Sequence, residues 1–520
     1  MVLLFAMLSE TLPVTLPERL QRNNVKERNI MKRKMLSTLL CATIVSSMLV
    51  GCGSSKEPVE TPETQGETNT TETENKENTE DETAKAEGSV YYLNFKPEVE
   101  EQWQEIAAAY TEATGVPVKV VTAASGTYEE VLKSEIAGSD APTLFQVNGP
   151  VGYNAWKDYC LDLSGTEIYE ALTDKSLAIT GADGGVYGIP YTVESYGIIY
   201  NDAIMQKYFE MDGAVVESVD EINNFDTFKA VVEDMQSKKE ELGIEGVFAS
   251  TSLLPGEDWR WHTHLANIPV YYEYSDKDAT DLAQLDFSYS ENFKNIFDLY
   301  INNSTCAPTL LGSKAVSDSM AEFALGEAAM VQNGNWGWSQ IAGVDGNVVE
   351  EENVKFMPIY TGVEGEEEQG LCTGTENFWC VNAKASEADR QATIDFMNWL
   401  ISSAEGKDMM VNKLGNAAPF STFSEEEKPA DPLAKEMFRF MENGKISVNW
   451  NFTTFPSQDF KDDFGAALLE YSNGNMTWDE VEEVVVTRWA EEKAATAGNE
   501  SENEAQTEET VNNETETVAE

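Results

Sequence analysis

The residues of this chain best suited to chemistry are aromatic and carboxylate side chains outside helical core positions. Trp259, Trp261, Trp336, Trp338, Trp379 and Trp450, with Tyr128, Tyr191 and Phe455, fall in predicted loops or at strand ends. An indole or phenol stacks on the flat C–H face of a sugar ring and keeps its polar edge available. Neighbouring Asn, Asp and Glu side chains supply directional hydrogen bonds to the hydroxyl fringe. Glu376 and Asn377, beside Trp379, add such a polar pair, with a solvated turn as the alternative. Trp103 and Trp399 sit at the apolar positions of amphipathic helices and read as core.

Reactive motifs are scarce. The sequence has no nucleophile elbow and no HExxH helix. His262 and His264 are the only histidines; on a strand they would share a face, which permits a metal. No third ligand stands at a recognisable spacing, so a structural pair is expected, with no metal and no cofactor. Cys160, Cys306, Cys372 and Cys380 lie in the body, without a CxxC. Cys372 and Cys380 could bridge a local loop, although scattered cysteines in a large domain are more often buried thiols.

The chain carries a formal net charge of -57 over 520 residues. Residues 53–88 and 494–520 contribute -8 each and residues 1–52 contribute +4, which leaves -45 on the body. A field of that sign repels phosphate backbones and anionic lipid head groups. Nucleic acid and anionic ligands are therefore disfavoured, and a neutral or cationic ligand is expected.

At the start, a basic cluster (Lys32, Arg33, Lys34) precedes an apolar run ending in Leu49-Val50-Gly51-Cys52. That is the layout of a secretory signal, shorter than the ~20 apolar residues of a span. The terminal Cys resembles the lipobox of bacterial lipoproteins, which implies lipidation at Cys52; a compact signal peptide would start at Met31, with an unusually long n-region over residues 1–30 as the alternative. Residues 53–88 hold one aliphatic residue, Val59, and no aromatic, so they read as a disordered, self-repelling linker. The acidic tail 494–520 reads the same way.

The elements that must position the aromatics lie between these flanks, in a body of roughly 400 residues, enough for two or three domains. SVYYLNF is strand-like, EVEEQWQEIAAAYTEATG is helical, VPVKVV is a strand, TYEEVLKSEIAG a helix and APTLFQV a strand. Strands alternating with helices predict α/β layers with a largely parallel sheet, whose ligands bind at the carboxyl ends of strands. The loops Asn94 to Lys96, Ser125 to Tyr128 and Asn148-Gly149 are the ones so placed. The extended segment around Pro190 leads into a new strand, GIIY, after which the pattern restarts; this predicts a second lobe.

Three blocks then become specific. GIPYTVESYGIIYND, FALGEAAMVQNGNWGW and FWCVNAKASEADRQATIDFMNWLISSAEGKDMM resemble, in order and spacing, the first lobe crossing, the Gly-Asn-Trp block and the return crossing of extracellular solute-binding proteins of the maltose-binding type. The resemblance spans roughly residues 89–493. It implies a two-lobed α/β fold of the periplasmic-binding-protein kind (type II), each lobe a mixed, mostly parallel sheet flanked by helices. The first lobe is expected to comprise 89–192 with about 378–425, and the second 197–373 with about 426–493. Trp336 matches a sugar-stacking Trp of that family. Glu257 or Asp258, followed by Trp259 or Trp261, matches an acidic residue and a stacking aromatic. Glu194 matches an acidic contact at the hinge, and Trp450 and Phe455 fall where further aromatics stand. Asn148 replaces a charged pair of maltose-binding protein, which argues against maltose itself.

The expected function is capture of a neutral oligosaccharide by hinge closure and delivery to the permease subunits of an ABC importer. The expected protein is a monomer tethered by its N-terminal lipid to the outer face of a Gram-positive cell membrane. Two competitors stand beside it. A peptide or polyamine would suit the acidity and can also use aromatics. An extracellular glycoside hydrolase would need two carboxylates roughly 5 to 9 Å apart.

Overall fold

A computed structural model of the chain describes residues 88–496. Cys52, the leader, most of the acidic linker and the tail from 497 lie outside the described residues. No described helix is long and apolar enough to cross a membrane.

The first lobe is built on β1 (Val90–Asn94), β2 (Val118–Thr122) and β3 (Leu144–Val147), closed by β11 (Phe378–Val381) from late in the chain; the strand order is β11-β3-β1-β2. β1 pairs in parallel with β2 and β3, and β11 runs antiparallel on β3. Every residue of β1 and β3 is buried, because helices cover both faces of the sheet. Tyr92 and Leu144 enter one core with Trp103, Tyr191, Trp379 and Phe396; Leu93 and Phe145 enter the other with Tyr128, Leu132 and Cys380. A short hairpin, β4 (Ile179–Thr180) with β5 (Val186–Gly188), leads to the first crossing.

The second lobe is centred on β6 (Glu194–Asn201), buried throughout. β8 (Ala328–Gly334) lies antiparallel on one side of it, with β7 (Gly246–Phe248) beyond. β9 (Val354–Met357) and β10 (Gln369–Gly374) share the other side, and β12 (Ile446–Asn449) extends the edge of β10. The balance thus differs between lobes: all three strands touching β6 are antiparallel to it, and the parallel pairs lie further out. Its core gathers Tyr196, Trp261, Phe293, Phe297, Phe464, Trp478 and Trp489. The closing helix runs to 496, so the first residues of the predicted tail are helical.

Three segments join the lobes. One runs from β5 to β6 and one from β10 to β11; the third lies between Phe420, in the first core, and Leu433, in the second. Thr375 Oγ1 donates to the Thr192 carbonyl at 2.8 Å, so the first two run side by side, and Val193 bridges Ala417, just before the third. Asn377 turns the second of them at φ 59°.

Cys372 on β10 and Cys380 on β11 belong to different sheets, and the four body cysteines are free. Cys380 instead neighbours Cys160 in the first-lobe core. The two histidines lie on a π-helical stretch, Arg260–Leu265, rather than on a strand. Their side chains take separate partners: His262 faces Asp258 (Nε2 to Oδ1 3.4 Å) and Thr263, and His264 stacks on Tyr196 with centroids 4.3 Å apart.

Candidate functional site

Between the lobes lies a cavity of about 300 Å³, bordered by Lys96, Glu98, Tyr191, Glu194, Asn335 and Trp336 together with residues 411–416 and 430–431. Three of the wall residues, Lys96, Glu194 and Trp336, are set by the ends of strands. Lys96 follows β1, where Asn94 Nδ2 donates to the Lys96 carbonyl at 2.8 Å and shapes the turn. Glu194 opens β6 and forms an ion pair with Lys96 across the lobes. Trp336 follows β8; its turn is anchored by the Ser195 N–H, which donates to Asn335 Oδ1 at 2.9 Å. The Trp336 ring lies over its own chain: a Cβ on Gly334 would sit 2.1 Å from it. Trp450, after β12, likewise needs Gly374, whose Cβ would lie 2.5 Å from the indole.

The second lobe thereby presents an aromatic group. The Trp336 ring centroid is 6.3 Å from those of Trp259 and Trp450 and 5.5 Å from that of His264. Lys96 Nζ is 5.6 Å from the Trp336 centroid, and the Arg260 guanidinium lies 4.1 Å over Trp259. Opposite them, Ser125 Oγ donates to the Gly256 carbonyl at 3.3 Å, and Gly149 packs against Thr453, so loops of the two lobes meet.

The charges here are crowded. Burial pulls the Lys96 ammonium down, but Glu194, with Glu98 and Glu376, more than offsets this and leaves it above its ordinary value. Burial pushes Glu98 up against the pull of Lys96. Glu376 is pushed up to about 7, chiefly by burial and further by Glu194, while Lys96 and Lys461 hold it back. Burial lowers Lys461, and it lowers Arg260 to about 9. His264 is held well below its usual range by burial and by Arg260, so it is a neutral ring.

Of the residues singled out from the sequence, Glu194 and Trp336 border this space; Trp259 and Trp450 neighbour the Trp336 ring, Glu376 lies within electrostatic reach of Lys96 and Glu194, and Asn148 stands at the N-cap position of the helix Gly149–Trp156 with no side-chain cap bond. Others do not reach this space. Trp261 is 1% exposed, packed on Phe297, and its Nε1 donates to the Ser252 carbonyl at 2.7 Å. Trp379 is fully buried in the first lobe, stacked on Tyr191. Phe455 packs on Phe460 and Trp489. These three are core residues because their apolar area fills space between layers. Tyr128 is also buried, its hydroxyl accepting from the Gln146 N–H at 2.7 Å. Glu257 accepts from the Val316 N–H at 2.6 Å, and Asp258 is held by the Gly256 N–H and His262, so both carboxylates are committed within the lobe.

Sequence reasoning named the loop ending at Lys96 without singling out its ammonium, and it missed Glu98, Arg260 and Lys461. Lys96 carried a signal, since it ends a loop at the carboxyl end of a strand. Arg260 stood between two flagged tryptophans. Lys461, on the helix Gln458–Ser472, carried none. Among the described residues no group of three His, Cys, Asp or Glu side chains has the arrangement to hold a metal.

The profile of a family described as bacterial extracellular solute-binding protein matches residues 105–437. Solved structures share the fold. A chitin oligosaccharide binding protein superposes with TM-score 0.61 at 18% identity, covering 78% of this chain and 99% of its own. The binding protein RafE in complex with raffinose gives 0.59 at 17%, covering 78% and 99%. A sugar transporter protein from Bacillus licheniformis in complex with stachyose gives 0.58 at 15%, covering 78% and 100%. No curated protein sequence matches the chain.

Proposed function

The chain belongs to the bacterial extracellular solute-binding proteins, and from that premise we propose that it captures a neutral oligosaccharide between its lobes and delivers it to an ABC importer. The observation that carries this reading is Trp336 at the interlobe cavity, backed by the neighbouring rings of Trp259 and Trp450 and facing the polar Lys96 and Glu98 of the other lobe. Aromatic faces supply stacking, and the polar edge supplies directional hydrogen bonds. Hinge motion about the three joining segments brings the two together, and exclusion of water strengthens each bond. Nothing is cleaved. Lipidation at Cys52 tethers a monomer to the outer face of the membrane, where it meets the permease subunits. The structures named for chitin oligosaccharide, raffinose and stachyose support an oligosaccharide as the ligand class through shared shape.

The test is intrinsic Trp fluorescence titrated with raffinose, stachyose, chitin oligosaccharides and xylo-oligosaccharides, with spermidine and a peptide mixture alongside. A saturable change with one glycan class and no product on prolonged incubation is expected. Consumption of the glycan would replace transport by hydrolysis. A response to spermidine or peptide alone would keep the fold and change the ligand.

A further inference from the structure

We propose that Arg260 is a ligand-contacting residue of the interlobe site, donating through its planar fork to adjacent uncharged oxygens of a sugar: vicinal hydroxyls, or a hydroxyl and the ring oxygen. The inference rests on the binding reading above and deepens it.

Arg260 is fully buried, and none of Nε, Nη1 and Nη2 has a hydrogen-bond partner in the protein. The backbone is fixed, since Gln332 Nε2 donates to the Arg260 carbonyl at 3.0 Å. One face of the guanidinium lies against Trp259. A structural arginine in this protein looks different: Arg439 donates to the Glu436 carboxylate at 2.7 Å. The acids whose charge reaches Arg260 are Glu98, from the opposite lobe, and Glu257, which is committed to the Val316 N–H. A buried guanidinium left without hydrogen bonds is strongly unfavourable, so its five donors call for acceptors from outside the lobe.

Other buried polar atoms also lack partners, among them the donor Trp450 Nε1, the acceptor Asn148 Oδ1 and both amide atoms of Asn377. Donors and an acceptor distributed over both lobes fit a polyol, which is both at once. The charge balance selects against an anion. Around this space Glu98, Glu129, Glu194, Glu257 and Asp431 stand against Lys96, Arg260, Lys413 and Lys461, with the Glu376 carboxyl pushed up to about 7, and a ligand carboxylate would add to the acids.

The experiment pairs Arg260→Met with Arg260→Lys. Calorimetry is run on the full chain with raffinose, stachyose, chitin oligosaccharides and xylo-oligosaccharides, and with tetragalacturonate as the anionic probe. Melting temperature without glycan is recorded for each variant. Wild type is expected to bind a neutral probe. Arg260→Met is expected to bind it roughly 10- to 100-fold more weakly, while melting at or above wild type, because an unpartnered buried charge has been removed. Arg260→Lys should bind more weakly than wild type, since an ammonium lacks the fork. Unchanged affinity in Arg260→Met, with wild type binding intact, overturns the inference and leaves the function standing. A clearly lower melting temperature in Arg260→Met marks a structural arginine and also overturns it. Tighter wild-type binding of tetragalacturonate overturns the uncharged class. Silence of wild type with every glycan removes the functional reading and this inference with it.

Discussion

Replacing Gly149 by Ala should weaken ligand binding separately from its cost to the fold. Gly149 opens the helix after β3 at φ 67°, and a Cβ there would lie 2.5 Å from Thr453 Cβ of the other lobe. Two costs arise, and they are separable. The left-handed backbone costs an L-residue about 1–2 kcal/mol in any arrangement of the lobes. The overlap with Thr453 costs about 1–3 kcal/mol, as overpacking does, but only while the lobes meet. Under hinge closure the second term falls on the bound form alone, so affinity should drop roughly 5- to 150-fold. Thr453→Gly removes the opposing Cβ and should restore most of the affinity in the double variant without restoring melting temperature. Calorimetry with the glycan that saturates wild-type fluorescence gives the affinities, and small-angle scattering with and without glycan gives the change in lobe separation. If Gly149→Ala binds within twofold of wild type and scatters identically, the lobes do not close across this contact and the reasoning fails.

Trp336→Ala should reduce affinity about 10-fold or more at nearly unchanged melting temperature, since its partly exposed ring borders the cavity. Trp261→Ala should do the reverse and destabilise the fold by about 3–5 kcal/mol in a denaturant titration, as removal of a buried Trp leaves a cavity. The Glu376 carboxyl, pushed up to about 7, keeps a proton that the unfolded chain loses near pH ~4.3. Its contribution to stability therefore falls as pH rises between those values. Melting curves at pH 5 and pH 8 should differ less in Glu376→Gln than in wild type, and an equal difference would discount the burial of this group beside Lys96, Glu194 and Lys461.

The strands and helices of the first lobe were legible because each apolar run is bounded by polar turns and set at a fixed period. VYYLN, VKVVT and LFQV are such runs, and the helix Glu100–Thr114 places Trp103, Ile106, Ala107 and Tyr110 on one face. The aromatics were harder to sort. Trp259 and Trp261 stand two apart in one motif, yet one neighbours the Trp336 ring and the other is core. On the π-helical turn that begins there, two residues apart point to different sides, whereas on a strand they would share one. Lys461 was illegible for a similar reason: its charge is ordinary on a helix until the opposite lobe brings Glu376 and Glu129 to it.

The sequence by itself determined the α/β layering, the strongly acidic body and the blocks that cross between lobes, since these depend on composition and local period. Only the tertiary structure decided which carboxylates are committed inside a lobe, such as Glu257, and which face the other lobe, such as Glu98 and Glu194. It alone left Arg260 buried without a partner. The reason is physical: burial and pairing are set by contacts between residues far apart in the chain, and no local pattern encodes which distant group will arrive.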